Sequence, residues 1–384
     1  MTKSNSPNLR FKEFTDEWQE KKLGDLLELN LREIKKPTEP YLAIGIRSHF
    51  KGTFQKPESD PLKIAMDKLY VVKKDDFLVN ITFAWEAAAA IAVDEDDGGL
   101  VSHRFPTYIF KKDQIISNFF RYIYPTKKFK YLLGLASPGG AGRNRVLIKS
   151  ELLNINFNIP SIGEQQKIAD FLGVVDKKIE KLEEKKKAFE KYKKGVMQEI
   201  FSQKIRFKDK NGKNYPDWEE KKLGELLNYE QPTKYIVRST EYSNDFDTPV
   251  LTAGKSFILG YTNEIDNTFQ ELPVIIFDDF TTASQFVDFP FKVKSSAMKI
   301  LKAKEKENIR FIFEAMQKIK YEVGGHGRHW ISVFANMKIK IPSPEEQETI
   351  VEFLTALDDK INLINNQLEQ TKIFKKSLLQ RMFV

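Results

Sequence analysis

Ile159-Pro-Ser-Ile-Gly-Glu-Gln-Gln-Lys-Ile-Ala-Asp-Phe-Leu172 returns, little changed, as Ile341-Pro-Ser-Pro-Glu-Glu-Gln-Glu-Thr-Ile-Val-Glu-Phe-Leu354. Each copy reads as the end of a strand, a stop and the start of a helix. Asn154–Ile159 and Lys338–Ile341 alternate polar and apolar residues with period two, and each run is closed by a proline, which has no N–H to give to a sheet. Ser161 lies three residues before Glu164 and Ser343 three before Glu346, the spacing of a capping box. Pro344 suits the first helical position.

A heptad-like stripe follows in both copies. The first runs Ile168, Leu172, Val175, Ile179 and Leu182, then Phe189, Val196 and Ile200, interrupted by Lys186 and Lys193. The second runs Ile350, Leu354, Leu357, Ile361, Ile364 and Leu368, then Leu378 and Met382, interrupted by Thr371 and Lys375. Alternating steps of four and three are the signal of a coiled coil. Helices over Glu164–Phe201 and Glu346–Phe383 would each be about 57 Å long at 1.5 Å per residue. One such stripe is ordinary core, but two at matching places need each other. The chain runs domain, helix, domain, helix, so the second helix can cover the first only by running back along it. The pair is expected to be antiparallel about an approximate two-fold axis, with a domain at each end.

The front of each half repeats as well. Asp16-Glu-Trp-Gln-Glu-Lys-Lys-Leu-Gly-Asp-Leu-Leu27 matches Asp217-Trp-Glu-Glu-Lys-Lys-Leu-Gly-Glu-Leu-Leu227, and Arg10-Phe-Lys matches Arg206-Phe-Lys. The offset is 218 − 18 = 200 at the tryptophans and 342 − 160 = 182 at the prolines. The ends of the halves therefore agree while their middles have diverged, and the middles are where specificity would differ. The fold class is α+β: two mixed α/β domains over residues 1–160 and 204–342, joined by long helices over 161–203 and 343–384 in a pseudo-two-fold repeat. Trp18 and Trp218 are assigned to packing.

Of the 384 residues, 41% are hydrophobic and 30% charged, and the formal net charge of +8 suits a polyanionic partner without proving one. The absence of cysteine excludes disulfides and thiolate metal sites. No apolar run of membrane-spanning length and no signal-peptide pattern is present, so a cytoplasmic protein without a membrane partner is expected.

The twin Ile-Pro-Ser-x-x-Glu-Gln motifs before Phe-Leu and a heptad helix, with the twin Trp…Lys-Lys-Leu-Gly-(Asp/Glu)-Leu-Leu segments, resemble the specificity subunits of Type I restriction–modification systems along essentially the whole chain. The resemblance implies two target-recognition domains, each reading one half of a split sequence in double-stranded DNA, with the coiled coil as a ruler for the unread gap. It also implies that the helices dock two methyltransferase subunits, which methylate adenine at N6, and that ATP-driven restriction subunits join the complex. S-adenosylmethionine, ATP and Mg would then belong to the partner subunits, and this chain would hold no cofactor, no metal and no catalytic residue. The alternative is a coiled-coil adaptor that binds only proteins.

Two glycine-rich segments at matching places, Gly139-Gly-Ala-Gly-Arg-Asn-Arg145 and Gly324-Gly-His-Gly-Arg-His329, are the leading candidates for DNA contact. Glycine lets backbone approach a ligand, and arginine offers a planar fork to phosphate or to guanine. Arg143 and Arg328 are equivalent, and Arg145 and His329 adjoin them. Arg47, His49 and Lys51 in the first domain, and Lys255, Ser256 and Gln285 in the second, lie near turns or strand ends. Trp85 and Trp330 would stack on DNA or fill core. Gly254-Lys255-Ser256 mimics a phosphate loop, but Pro249 stands where its first glycine is required. The acids around Pro216-Asp217 are too closely spaced for a metal-dependent nuclease. His326 and His329 lack a third ligand for zinc, and no Asn-Pro-Pro-aromatic motif for amino-methylation occurs.

Overall fold

The computed structural model describes residues 7–140, 145–252, 256–304, 306–321 and 329–383. The first long helix spans Ile162–Phe201 and the second Pro344–Met382, which places Pro344 at the first helical position. Both follow short strands, Asn156–Ile159 and Lys338–Ile341, as the alternation and the prolines require. Among the described residues no helix is long and apolar enough to cross a membrane.

The chain divides into two compact units: Met1–Glu183 with Asn366–Val384, and Glu184–Asn365. Each unit thus contains the start of its own long helix and the end of the other. In unit one Ile168, Leu172 and Val175 of the first helix share a core with Leu378 and Met382 of the second, around Trp18, Phe77, Tyr108, Phe119 and Phe120. In unit two Ile350 and Leu354 share a core with Met197 and Ile200, around Phe277, Phe311 and Trp330.

Both units are built to one plan at their ends. Gln19–Lys22 pairs antiparallel with Asn156–Ile159, and Glu219–Lys222 pairs in the same register with Lys338–Ile341. Unit one has a four-stranded sheet ordered Leu27–Leu29, Thr107–Phe110, Phe77–Val79, Ala89–Ile91; its counterpart is ordered Leu227–Glu230, Met298–Ala303, Val274–Asp278, Ser284–Val287. The middles differ: among the described residues the further sheet has five strands in unit one and three in unit two. The repeated glycine before each sheet has a steric cause. A Cβ on Gly224 would stand 3.0 Å from the Ala335 carbonyl oxygen, and one on Gly24 would stand 3.3 Å from that of Leu153.

The Ser-to-Glu spacing has a use other than a reciprocal capping box. Ser343 Oγ accepts a long bond, 3.4 Å, from the Glu346 N–H, while the carboxylates of both glutamates point to arginines. Glu164 is wholly buried and receives Arg10 Nε at 2.8 Å, Arg10 Nη2 at 2.7 Å and the Trp18 indole N–H at 3.4 Å. Glu346, equally buried, receives Arg206 at 3.2 and 2.7 Å and Trp218 at 3.1 Å. A buried carboxylate must be paired, and the arginine fork does this at two points. The neighbouring glutamines are staples. Gln165 Oε1 accepts from the Ile116 N–H at 3.0 Å and Gln347 Oε1 from the Asn308 N–H at 2.8 Å, tying the starts of the short helices Ser117–Ile123 and Ile309–Met316 to the long ones.

Within each unit the long helices run antiparallel. In unit one Asp176 pairs with Lys375 at 2.5 Å and Glu183 with Lys372 at 2.8 Å. In unit two Lys186 donates to Asn365 at 2.7 Å and Lys193 to Asp358 at 2.6 Å. The lysines that interrupt the stripes are therefore cross-helix ties, which set register more than they add stability. Thr371 turns its hydroxyl to the Gln367 carbonyl at 2.7 Å. The short helices join the ties: Tyr122 OH donates to Asp176 at 2.9 Å, and Arg310 donates to Asp358 at 2.7 Å. Burial and the bond to Asp176 push the Tyr122 phenol well above its ordinary range, so it stays a donor.

Two outcomes follow. Glu346→Ala removes the buried counter-charge of Arg206 and the acceptor of the Trp218 N–H and is expected to cost roughly 3 kcal/mol in denaturant unfolding; a loss within error of zero would show that the clamp is dispensable. In a double-mutant cycle on Lys193 and Asp358, the coupling energy is expected to be about 1 kcal/mol, and additive single effects would refute the register tie.

Candidate nucleic-acid interface

In unit one three segments converge on one face: the turn after Tyr41–Ile46, the loop around Trp85, and the helix Lys127–Leu135. The turn carries two successive left-handed residues, His49 at φ 62° and Phe50 at φ 55°. Each costs roughly 1 kcal/mol or more for a residue with a Cβ, and the surroundings hold them there. The His49 and Phe50 N–H groups donate to the Glu86 and Ala87 carbonyls at 2.8 and 2.9 Å. The Phe50 ring stacks on Phe129 with centroids 6.0 Å apart. Arg47 and Lys51 are presented on the exposed side of this turn, with the Arg47 guanidinium over the Phe54 ring and bonded to the Thr53 carbonyl.

Trp85, Lys127, Lys130, Tyr131 and Arg145 line an open cavity of about 430 Å³. His49 Nδ1 stands 3.4 Å from Lys130 Nζ at its side. Arg145 is half-buried, and its donors go to the Ser137 carbonyl at 3.0 Å and the Gly134 carbonyl at 2.7 Å, beyond and at the end of the helix. There it adds charged donors to carbonyls at the helix end and faces the negative end of the helix dipole. The same bonds set its guanidinium 5.7 Å from the Trp85 ring centre. Cations beside aromatic faces are the chemistry that holds a sugar–phosphate backbone and stacks a base.

In unit two the counterpart of the loop around Trp85 is the turn Asp278–Ala283, closed by Asp278, whose carboxylate accepts the Phe280 N–H at 2.9 Å and the Thr281 hydroxyl at 2.5 Å. His329 and Trp330 sit behind it, buried. The Asp279 carbonyl faces His329 Nδ1 at 2.8 Å, and the Asp279 carboxylate accepts the Trp330 N–H at 2.8 Å and faces Lys299 at 3.3 Å. His329 thus anchors the turn from inside, and Trp330 packs on Phe277 as core. Gln285 is exposed on the edge strand Ser284–Val287, and Ser256 is exposed at a bend. Arg143, Arg328 and Lys255 lie outside the described residues.

Sequence reasoning missed Lys127, Lys130 and Tyr131, which no repeat marks. It also missed exposed phenylalanines on the two corresponding turns, Phe83 and Phe280, which are 41% and 48% accessible.

Residues 15–191 and 215–372 match the family described as Type I restriction modification DNA specificity domain. The chain is 41% identical over 174 residues to the Type I restriction enzyme EcoR124I/EcoR124II specificity subunit of Escherichia coli, a match covering 41% of this chain and 43% of that protein, less than half the length of the relative. It is 22% identical to the Type I restriction enzyme MjaVIII specificity subunit of Methanocaldococcus jannaschii, over 95% of this chain and 91% of that one. The crystal structure of a Type I restriction–modification S subunit from M. genitalium has the same fold, with a TM-score of 0.63 at 15% identity over 99% of both chains. With two matched regions that together take in most of its length, the chain belongs to the Type I restriction–modification DNA specificity family.

Proposed function

We propose that the chain is the non-catalytic specificity subunit of a Type I restriction–modification complex acting in the cytoplasm. Each unit reads one half of a split target in double-stranded DNA. The two long helices set the gap and dock two methyltransferase subunits, and restriction subunits complete the assembly. S-adenosylmethionine, ATP and Mg serve those partners. The observation that carries this reading is the duplication: two units share scaffold ends and differ in the middle, the arrangement needed to read two different half-sequences at a set separation. The relatives named above are specificity subunits, which favours this reading over a coiled-coil adaptor.

The direct test is to co-express the chain with its cognate methyltransferase subunit in a methylation-free host and map N6-methyladenine. A split motif of fixed gap that vanishes without this chain is expected; an assembled, active complex with no chain-dependent methylation would favour the adaptor. Whole heptads inserted at matching places in both helices are expected to lengthen the gap and leave both half-sites unchanged. Lys130→Ala is expected to lower affinity and reduce the slope of log K against log salt by about one. Arg145→Ala is expected to impair one half-site only, since it loosens a helix of unit one. Equal defects at both half-sites would contradict two independent readers.

A further inference from the structure

Each unit has a cavity beside its repeated tryptophan, and the two are equivalent in the repeat. In unit one it measures about 300 Å³ and in unit two about 490 Å³. The floor of the first is the Trp18–Phe383 pair, with rings 6.2 Å apart at 70°; that of the second is Trp218–Phe201, 6.3 Å apart at 83°. In both, the tryptophan comes from the front of the unit and the phenylalanine from the far end of the other half's long helix, Phe201 as its last residue and Phe383 one past it. The strand Asn156–Ile159 lines one cavity and Lys338–Ile341 the other.

The walls are apolar, with Phe129, Leu132 and Phe157 in unit one and Ile319, Met337 and Ile339 in unit two. Lysine stands at both rims, singly at the first beside Thr126, Asn156 and Asn158, and in a group at the second. Lys128 stands at the first, and Lys318, Lys320, Lys338 and Lys340 at the second, where Lys338 is bound to Glu220 at 3.0 Å. In unit one this cavity and the one beside Trp85 draw on opposite faces of the helix Lys127–Leu135: Lys128 and Leu132 face one, Lys127, Lys130 and Tyr131 the other. A surface for nucleic acid and a second surface thus lie back to back.

We propose that these two cavities are sockets in which two copies of one partner protein each seat an apolar or aromatic side chain flanked by carboxylates. The proposal rests on the reading that two methyltransferase subunits share this chain, and it names where each would anchor. Duplication calls for the same ligand twice. An apolar floor under a lysine rim matches an acidic segment with a hydrophobic anchor, whereas a phosphate backbone would meet the lysines and leave the cavity empty. A side chain seated there would touch Phe383 or Phe201, so it would recognise a unit only when the other half's helix is in place.

The test titrates the full chain with its cognate methyltransferase subunit, without DNA, by native mass spectrometry and sedimentation. The wild type is expected to take up two copies. Lys128→Glu is expected to weaken one copy by about tenfold or more, Lys320→Glu with Lys340→Glu the other, and all three together both. Lys128→Arg is expected to keep two, and the exposed sites should leave thermal unfolding unchanged. Charge-reversed chains that bind two copies at wild-type affinity overturn the sockets while sparing the specificity role. Two copies retained with weakened binding to a DNA duplex would assign the lysines to DNA and overturn them equally. A wild-type chain that takes up no methyltransferase overturns the functional reading and the sockets with it.

Discussion

The structure depends on a carboxylate with no access to water at the start of each long helix. Glu164 and Glu346 are charged groups in a protein interior, and such a group is tolerated only when cations and donors surround it. Here Arg10 and Arg206 supply the charge, and the tryptophans supply a further N–H. One contact therefore fixes three things together: the N-terminal segment, the buried indole and the origin of the helix. The glutamine beside each glutamate extends the same junction to the short helix above it. Every later distance along a helix is counted from a point that cannot slide.

From that origin the cross-helix ties act as graduations. An unbroken Leu/Ile seam would tolerate a shift of one heptad, because every layer would look alike. Lys193 opposite Asp358 and Lys375 opposite Asp176 remove that freedom, since a slipped pair would leave charges against apolar neighbours. Each tie also reaches a side chain of the adjoining domain, Arg310 or Tyr122, so the domain and the helix pair are placed by the same charges.

The scaffold was legible in the sequence where local pattern decides the outcome. Heptad spacing, period-two strands and proline stops place the long helices and the strands before them within two residues of where they lie. The partners of Glu164 and Glu346 were harder to see, because Arg10 is 154 residues from Glu164. The clue was the repetition of Arg10 as Arg206 alongside each glutamate. In the diverged middles no such cross-check exists. Arg145 lies beside a glycine-rich run that suggests an exposed loop, yet the carbonyls at the end of a helix recruit it. His329, next to a similar run, is drawn inside by the carbonyl of Asp279, 50 residues earlier. Both outcomes are decided by long-range hydrogen bonding, which periodicity does not encode.

The exchange of helix ends between the two cores also bears on how the protein is made. Unit one closes around Leu378, Met382 and Phe383, so its apolar interior stays incomplete while the second half is still being translated. At roughly 5–20 residues per second, the interval between the end of the first long helix and the arrival of Phe383 is of the order of ten to forty seconds. Through that interval Trp18, Phe119 and their neighbours lack their last covering, and a chain interrupted at any point before it keeps them uncovered. The end of the second helix is thereby needed in the core of the part made first, and a fragment that lacks it exposes the kind of apolar surface that chaperones and proteases recognise.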